Sequence, residues 1–221
     1  AYRSSDQTWY GFGARVRVIV VNTEVLSDPS AWPRRLADLA DSKWQGRAGI
    51  AKPLFGTTAT HAAVLFHLWG AERAKAFFDE VRQNAKVLAG NRQVAIAVAR
   101  GQLAWGVTDT DDAYQVQQQG YPVAIVFPDQ DGDGALVIPN TVAIVKGAPH
   151  AAEAEAFVDY LLSVETEGQL AEGPSAQFPL HPRGQTPSPV ARLDEIHPLA
   201  VDFEAAAAAW EPAAAFLRQR F

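Results

Sequence analysis

Five consecutive residues, Thr108-Asp109-Thr110-Asp111-Asp112, set three carboxylates and two hydroxyls side by side. Such a group can hold a hard cation, receive an ammonium, or bind a polar solute through hydrogen bonds. The apolar run 103–107 ahead of it reads as a buried strand, and Ala113, Val116 and the glutamines up to Gly120 read as one short helix. The cluster therefore falls where a strand hands over to a helix, the edge at which open α/β sheets bind ligands. Helix capping accounts for one or two of the five: Thr108, Asp109 or Thr110 as N-cap, with Asp111 and Asp112 facing the positive end of the helix dipole. Asp111 and Asp112 are adjacent and diverge by about 100° around a helix, which predicts no facing acid–base pair.

Two more junctions have the same character. Gly56-Thr57-Thr58-Ala59-Thr60 follows the short strand 47–51 and the turn 52–56, and opens a helix with Val64, Leu65 and Leu68 on its apolar face. Threonine hydroxyls and free N–H groups at a helix amino end suit an anion, although ordinary capping explains this stretch alone equally well. Gly-Lys-Ser/Thr is missing, so it is not a P-loop. Gly90-Asn91 precedes a helix over 93–99 and makes the third junction. Three polar junctions along one sheet edge favour a ligand site over three separate caps.

The elements that would position these residues alternate. The spacing predicts a strand at 15–21, helices at 32–39 and 71–84, a strand at 86–88 and another at 122–127. The apolar run 135–145 reads as one or two strands. Helices follow at 151–162, with Ala156, Val158, Tyr160 and Leu161 available for a core, and at 164–171. The stretch to Pro189 is a loop, and 198–220 is helical with a kink or restart at Pro212. The fold class is α/β.

Other motifs carry less. Asp129-Gln130-Asp131-Gly132-Asp133-Gly134 has the glycine of a calcium loop, but Asn140 stands where a bidentate glutamate is needed, so a solvated turn is expected. His61, His67, His150, His181 and His197 lack metal-ligand spacing, and His61 is expected to be a capped surface histidine. The chain has 221 residues, a net charge of −6 and no cysteine. Those numbers allow a sizeable core, exclude thiol chemistry and disulfides, and argue against a nucleic acid or anionic membrane partner. Methionine is absent even at position 1, and no signal peptide is present in these 221 residues, which suggests a fragment or processed product.

The order of pieces resembles the periplasmic solute-binding proteins of ABC importers, in the family that includes the ferric-ion-binding proteins. The resemblance rests on GARVRVIVVNT (13–23), LADLADSKWQGRAGIAKPLFGTT (36–58), Gly90-Asn91, GQLAWGVTDTDD (101–112), DGALVIPNTVAIVKGAPHAAEAEAFVDYLLSVE (133–165) and AQFPLHP (176–182). It implies a hinge-closing type II periplasmic-binding fold, N-terminally truncated, with one complete lobe plus the C-terminal part of the other. Residues 1–19 would be the crossover and remnant of the first lobe, 20–127 the second lobe and 128–190 the return strand and helices of the first. Residues 191–221 would be a helical segment packing on the second. The likeness places the ligand contacts on Gly56, Thr57, Thr58, Asn91, Thr108, Asp109, Thr110, Asp111 and Asp112, with no catalytic residue. Ferric binders of the family carry two adjacent tyrosines where this chain has Asp111 and Asp112, so a phenolate-bound iron is not expected. Those two aspartates are the candidate ligands for any bound metal ion.

The implied function is capture of a small anionic or zwitterionic solute, or a metal–anion complex, outside the cytoplasm, in the periplasm or at the cell surface. The implied partners are an ABC permease and a small ligand, with no nucleic acid, and the full-length protein is expected to be a monomer. Two alternatives stand beside it: the effector-binding domain of a transcription regulator, and a metal-dependent hydrolase using Asp109, Asp111 and Asp112.

Overall fold

The computed structural model describes residues 2–184 and 186–221. The first strand, β1 (Tyr10–Asn22), is the backbone of the sheet and is longer than the run 15–21 suggests. Its inner half is apolar on both faces: Ile19 and Val21 join one core cluster, whereas Val16, Val18 and Val20 join the other. β2 (Ala48–Ala51), β3 (Lys86–Leu88), β4 (Trp105–Asp109) and β5 (Val123–Val126) complete the order β3-β2-β4-β1-β5, and β6 (Val137–Val142) also pairs with β1. β3, β2 and β4 run parallel, whereas β4, β5 and β6 are antiparallel to β1.

Each parallel strand feeds a helix at its carboxyl end: β2 leads to α1 (Gly56–Trp69), β3 to α3 (Asn91–Ala99) and β4 to α4 (Thr110–Gln118). α2 (Ala71–Asn84) buries Phe77, Phe78 and Val81 against α1, as its spacing predicts. The register sets Gly49 of β2 opposite Gly106 of β4. A Cβ on Gly106 would stand 2.5 Å from Val94 Cγ1 and 2.9 Å from the Gly49 carbonyl oxygen, so the glycine lets α3 sit directly on the sheet.

Beyond β6 lie α5 (Ala151–Leu161) and α6 (Val164–Glu172). Glu167 of α6 is buried. Its carboxylate accepts from the N–H groups of Gly13 at 2.7 Å, Leu180 at 2.9 Å and His181 at 2.5 Å, which ties this end of the chain to β1. The C-terminal helices α7 (Phe203–Ala208) and α8 (Trp210–Arg218) return to α1, and Ala213 and Leu217 share a core with Leu65, Phe66 and Phe78.

Several expectations are corrected. The stretch 32–39 is not an α-helix: Trp32 and Arg35 are extended, and short 3₁₀ turns form at Pro29–Ala31 and Leu36–Ala40. Proline forces its predecessor out of the helical region. Only Val137–Val142 of the run 135–145 is strand: its pairing with β1 ends at Tyr10 on one side, and on the other Ala135 turns away to bridge with Pro198. Ala156 and Tyr160 are exposed and α5 buries no residue, so its apolar side chains do not serve a core here. The break between the last two helices falls at Ala209. Pro212 lies in the first turn of α8, where its missing N–H costs no helical bond.

Candidate functional site

Three helix amino ends meet at the carboxyl edge of β2, β3 and β4, and a buried ion pair holds them together. Arg17 of β1 stands opposite Asp109 in the strand register and is fully buried. Its Nη1 donates to Asp109 Oδ1 at 2.7 Å and to Asn91 Oδ1 at 3.0 Å. The other carboxylate oxygen, Oδ2, accepts from the Thr57 hydroxyl at 2.5 Å and from Asn91 Nδ2 at 2.8 Å. Thr58 donates to Asn91 Oδ1 at 3.0 Å, and Thr108 donates to the Asn91 carbonyl at 3.0 Å. α1, α3 and α4 are thus fastened to one carboxylate, and that carboxylate is neutralised by one guanidinium.

The structure therefore brings Thr57, Thr58, Asn91, Thr108 and Asp109 together, but in roles the sequence did not separate. Thr108 and Asp109 are the last residues of β4, not loop residues, and Thr108, Thr110 and Thr58 are buried. The Thr110 hydroxyl accepts from the Val16 N–H at 3.1 Å and bridges α4 to β1. These side chains build the wall. Thr57 among them also faces an open surface, which other residues complete.

That surface is a hollow of about 550 Å3 lined by Arg15, Gly56, Thr57, Thr60, Asn140 and Trp210, among others. Gly56 takes φ +57° at the first position of α1, and the place a Cβ would occupy is open space. Phe55 supplies no side-chain cap and the first turn holds no acidic residue, so the leading N–H groups of α1 are open to an acceptor. Arg15 lies beside them. Its Nη2 donates to Asn140 Oδ1 at 3.0 Å and its Nη1 is 3.5 Å from Asp111 Oδ2. Asn140 is itself fixed through Nδ2 to the carbonyls of Phe12 and Gly13 and to Gln177 Oε1.

Asp111 and Asp112 occupy the first turn of α4. Oxygens of Asp109, Asp111 and Asp112 all lie within 4.8 Å of one another, so the two neighbours do converge despite their angular separation on the helix. Burial raises the pKa of Asp111, and the charge of Asp109 adds to the rise against the pull of Arg15. Asp112 is pushed up to about 6 by burial and by the charges of Asp111 and Asp109. His61 is buried beneath the site, not on the surface. Desolvation, with help from Arg17, lowers its pKa to about 3 and keeps the ring neutral.

Sequence reasoning missed Arg15, Arg17, Asn140 and Trp210, and it named Thr60 in the junction 56–60 without counting it among the ligand contacts. The two arginines left a signal: an Arg-Val-Arg-Val alternation puts charge on one face of a strand otherwise built for burial. The calcium-like loop is a turn whose Asp129 carboxylate accepts from the Leu36 N–H at 3.1 Å, a structural use.

Comparison with known proteins places the chain in a family. The model of the bacterial extracellular solute-binding proteins matches residues 1–200. Iron uptake protein A1 of Synechocystis is 30% identical over 183 residues, covering 77% of this chain and 49% of that protein. Iron-bound HitA of Pseudomonas aeruginosa superposes with a TM-score of 0.87 at 23% identity, over 99% of this chain and 71% of that one. AfuA of Actinobacillus pleuropneumoniae, solved with exogenous fructose-6-phosphate bound, gives 0.83 at 25% identity, over 99% and 70%. The chain spans about half the length of the curated relatives it matches. Its mixed sheet and edge-bound helices are those of the type II periplasmic-binding fold, and the chain belongs to the bacterial extracellular solute-binding proteins of the ferric-ion-binding-protein-like kind.

Proposed function

We propose that this chain is the solute-capturing part of an ABC importer, outside the cytoplasm, and that its ligand is a small organic anion of the phosphate or phosphonate type. The observation that carries the reading is Arg15 beside the uncapped amino end of α1 in a hollow of about 550 Å3. A guanidinium and a row of aligned N–H groups match a tetrahedral oxyanion in charge and in donor geometry. Asp111 and Asp112 border the same edge as acceptors for hydroxyl or ammonium groups elsewhere on the molecule. AfuA, bound to a sugar phosphate, supports this choice within the fold.

In this reading 20–127 is one lobe, and 1–19 with 128–190 belong to the other. The segment 191–221 packs on the former, and capture closes the two around the crossing strands β1 and β6. A permease in the membrane would receive the closed form. The protein performs no chemistry on its guest, and it acts as a monomer.

A second reading, a hard cation as cargo, draws on the three converging carboxylates. The positive charges of Arg15 and Arg17 already stand against Asp111 and Asp109 and would repel that cation, and no tyrosine replaces Asp111 or Asp112. Isothermal titration of the intact protein separates the two. Fructose 6-phosphate or methylphosphonate should bind, and Arg15→Gln should weaken that binding at least about tenfold. Tight ferric citrate binding that survives Arg15→Gln, with no heat from either phosphorus compound, would overturn the reading.

A further inference from the structure

Beside the anionic hollow runs a second one, about 210 Å3, between α1 and α7. The two share Thr60 and Trp210 in their walls and are therefore adjacent. Apart from Thr60, the second hollow is walled by carbon: Ala63 and Val64 of α1, Phe203, Ala206 and Ala207 of α7, and the Trp210 ring. Its origin is visible in the sequence. Five successive alanines, 205–209, let α7 approach α1 but are too short to fill the space between them.

We propose that the solute recognised here carries an apolar, ring-sized group next to its anionic one, and that this group lodges between α1 and α7 with the Trp210 indole as partition. The inference rests on the anionic reading of the neighbouring hollow and refines it from any small phosphate or phosphonate to one bearing an aryl or compact alkyl substituent. The volume is adequate, since an apolar cavity of roughly 150 Å3 accepts a benzene ring. The chemistry is divided sensibly. Arg15 and the amino end of α1 take the charge, while the groove is walled mainly by carbon and gains from losing contact with water. A solute with only polar substituents would leave this groove wet or collapsed and would draw nothing from it.

Titration of the intact protein with methylphosphonate and phenylphosphonate tests the proposal, because the two share one head group. Phenylphosphonate should bind at least about tenfold more tightly, and its binding should change the fluorescence of Trp210. Ala207→Phe, made on an exposed face of α7, should fill the groove and bring the ratio of the two affinities towards one, with a thermal melt to confirm folding. Equal affinities in the parent protein would overturn the inference while leaving the anionic site standing. Failure of both phosphonates to bind would overturn the anionic reading and this inference together.

Discussion

Replacing Arg17 by methionine removes the positive member of the buried pair and leaves Asp109, which is 2% exposed, with the Thr57 hydroxyl and the Asn91 amide as its remaining side-chain donors among the described residues. Breaking a buried pair from one side costs about 3–5 kcal/mol, because the remaining charge stays desolvated. Two surviving hydrogen bonds to the charged group, worth about 1.5–3 kcal/mol each, put the expected loss near the lower end, about 3 kcal/mol. Asp109→Asn strands the guanidinium instead and should cost a similar amount. Combining Arg17→Met with Asp109→Asn leaves a neutral cluster, so the double variant should be more stable than the sum of the single losses predicts, by about 1.5 kcal/mol or more. Urea unfolding followed by tryptophan fluorescence gives all four corners of the cycle, since Trp44 and Trp105 lie edge to face at 5.7 Å in the core. A single-variant loss below about 1 kcal/mol, or strict additivity in the double variant, would refute the view that this pair fastens α1, α3 and α4 to one point.

Three further expectations concern the same edge. The pKa of Asp112, raised to about 6, means that the fold holds a proton there which the unfolded chain releases near pH 4. Its contribution to stability is therefore present at low pH and is lost as pH rises through about 6, so Asp112→Asn should raise the unfolding midpoint at neutral pH with a gain that shrinks towards about pH 4. His61, whose pKa is lowered to about 3, works in the opposite direction: the unfolded chain takes up the proton first as pH falls below about 6.5. Its imidazole resonances should stay at their neutral positions at about pH 5, and His61→Gln should flatten the acid limb of the stability profile. Gly106→Ala forces a Cβ to 2.5 Å from Val94 and should cost about 1–3 kcal/mol in urea unfolding. Because Val94 shares α3 with Asn91, phosphonate affinity should fall along with stability.

The parts legible in the sequence were those whose burial is periodic. α2 and β3 stand at the residues the spacing names, because Phe77, Phe78 and Val81 recur on one face and Gly90 closes the strand. The polar edge was legible as a place but not as a division of labour. Thr108 and Asp109 read as loop because they are polar, yet they end a strand. The partners that make their burial possible are the Asn91 carbonyl and Arg17, 92 residues from Asp109 in the chain. Local patterning cannot report a neutralising charge supplied from that far away. Asn140 and Trp210 were illegible for the same reason, since only the return of β6 and α8 brings them beside Arg15. The exposed Phe157, Tyr160 and Val145 show the converse: an apolar pattern predicts burial only where a covering surface exists.

β1 is one unbroken strand with two sets of neighbours. β6 pairs with it from Tyr10 to Val16, and β4 and β5 take over from Arg17 to Asn22. A strand cannot stretch, so any rotation of one set against the other must be absorbed as torsion near the changeover, where Gly13 already breaks the register. The only charged side chains on β1, Arg15 and Arg17, flank that changeover. Arg17 is anchored to the sheet edge, and on the anionic reading proposed above Arg15 would receive the guest, so that an anion seated there would load a torsion bar at its midpoint. Occupancy and mechanical response would then be coupled through the same few residues, with no separate relay between them.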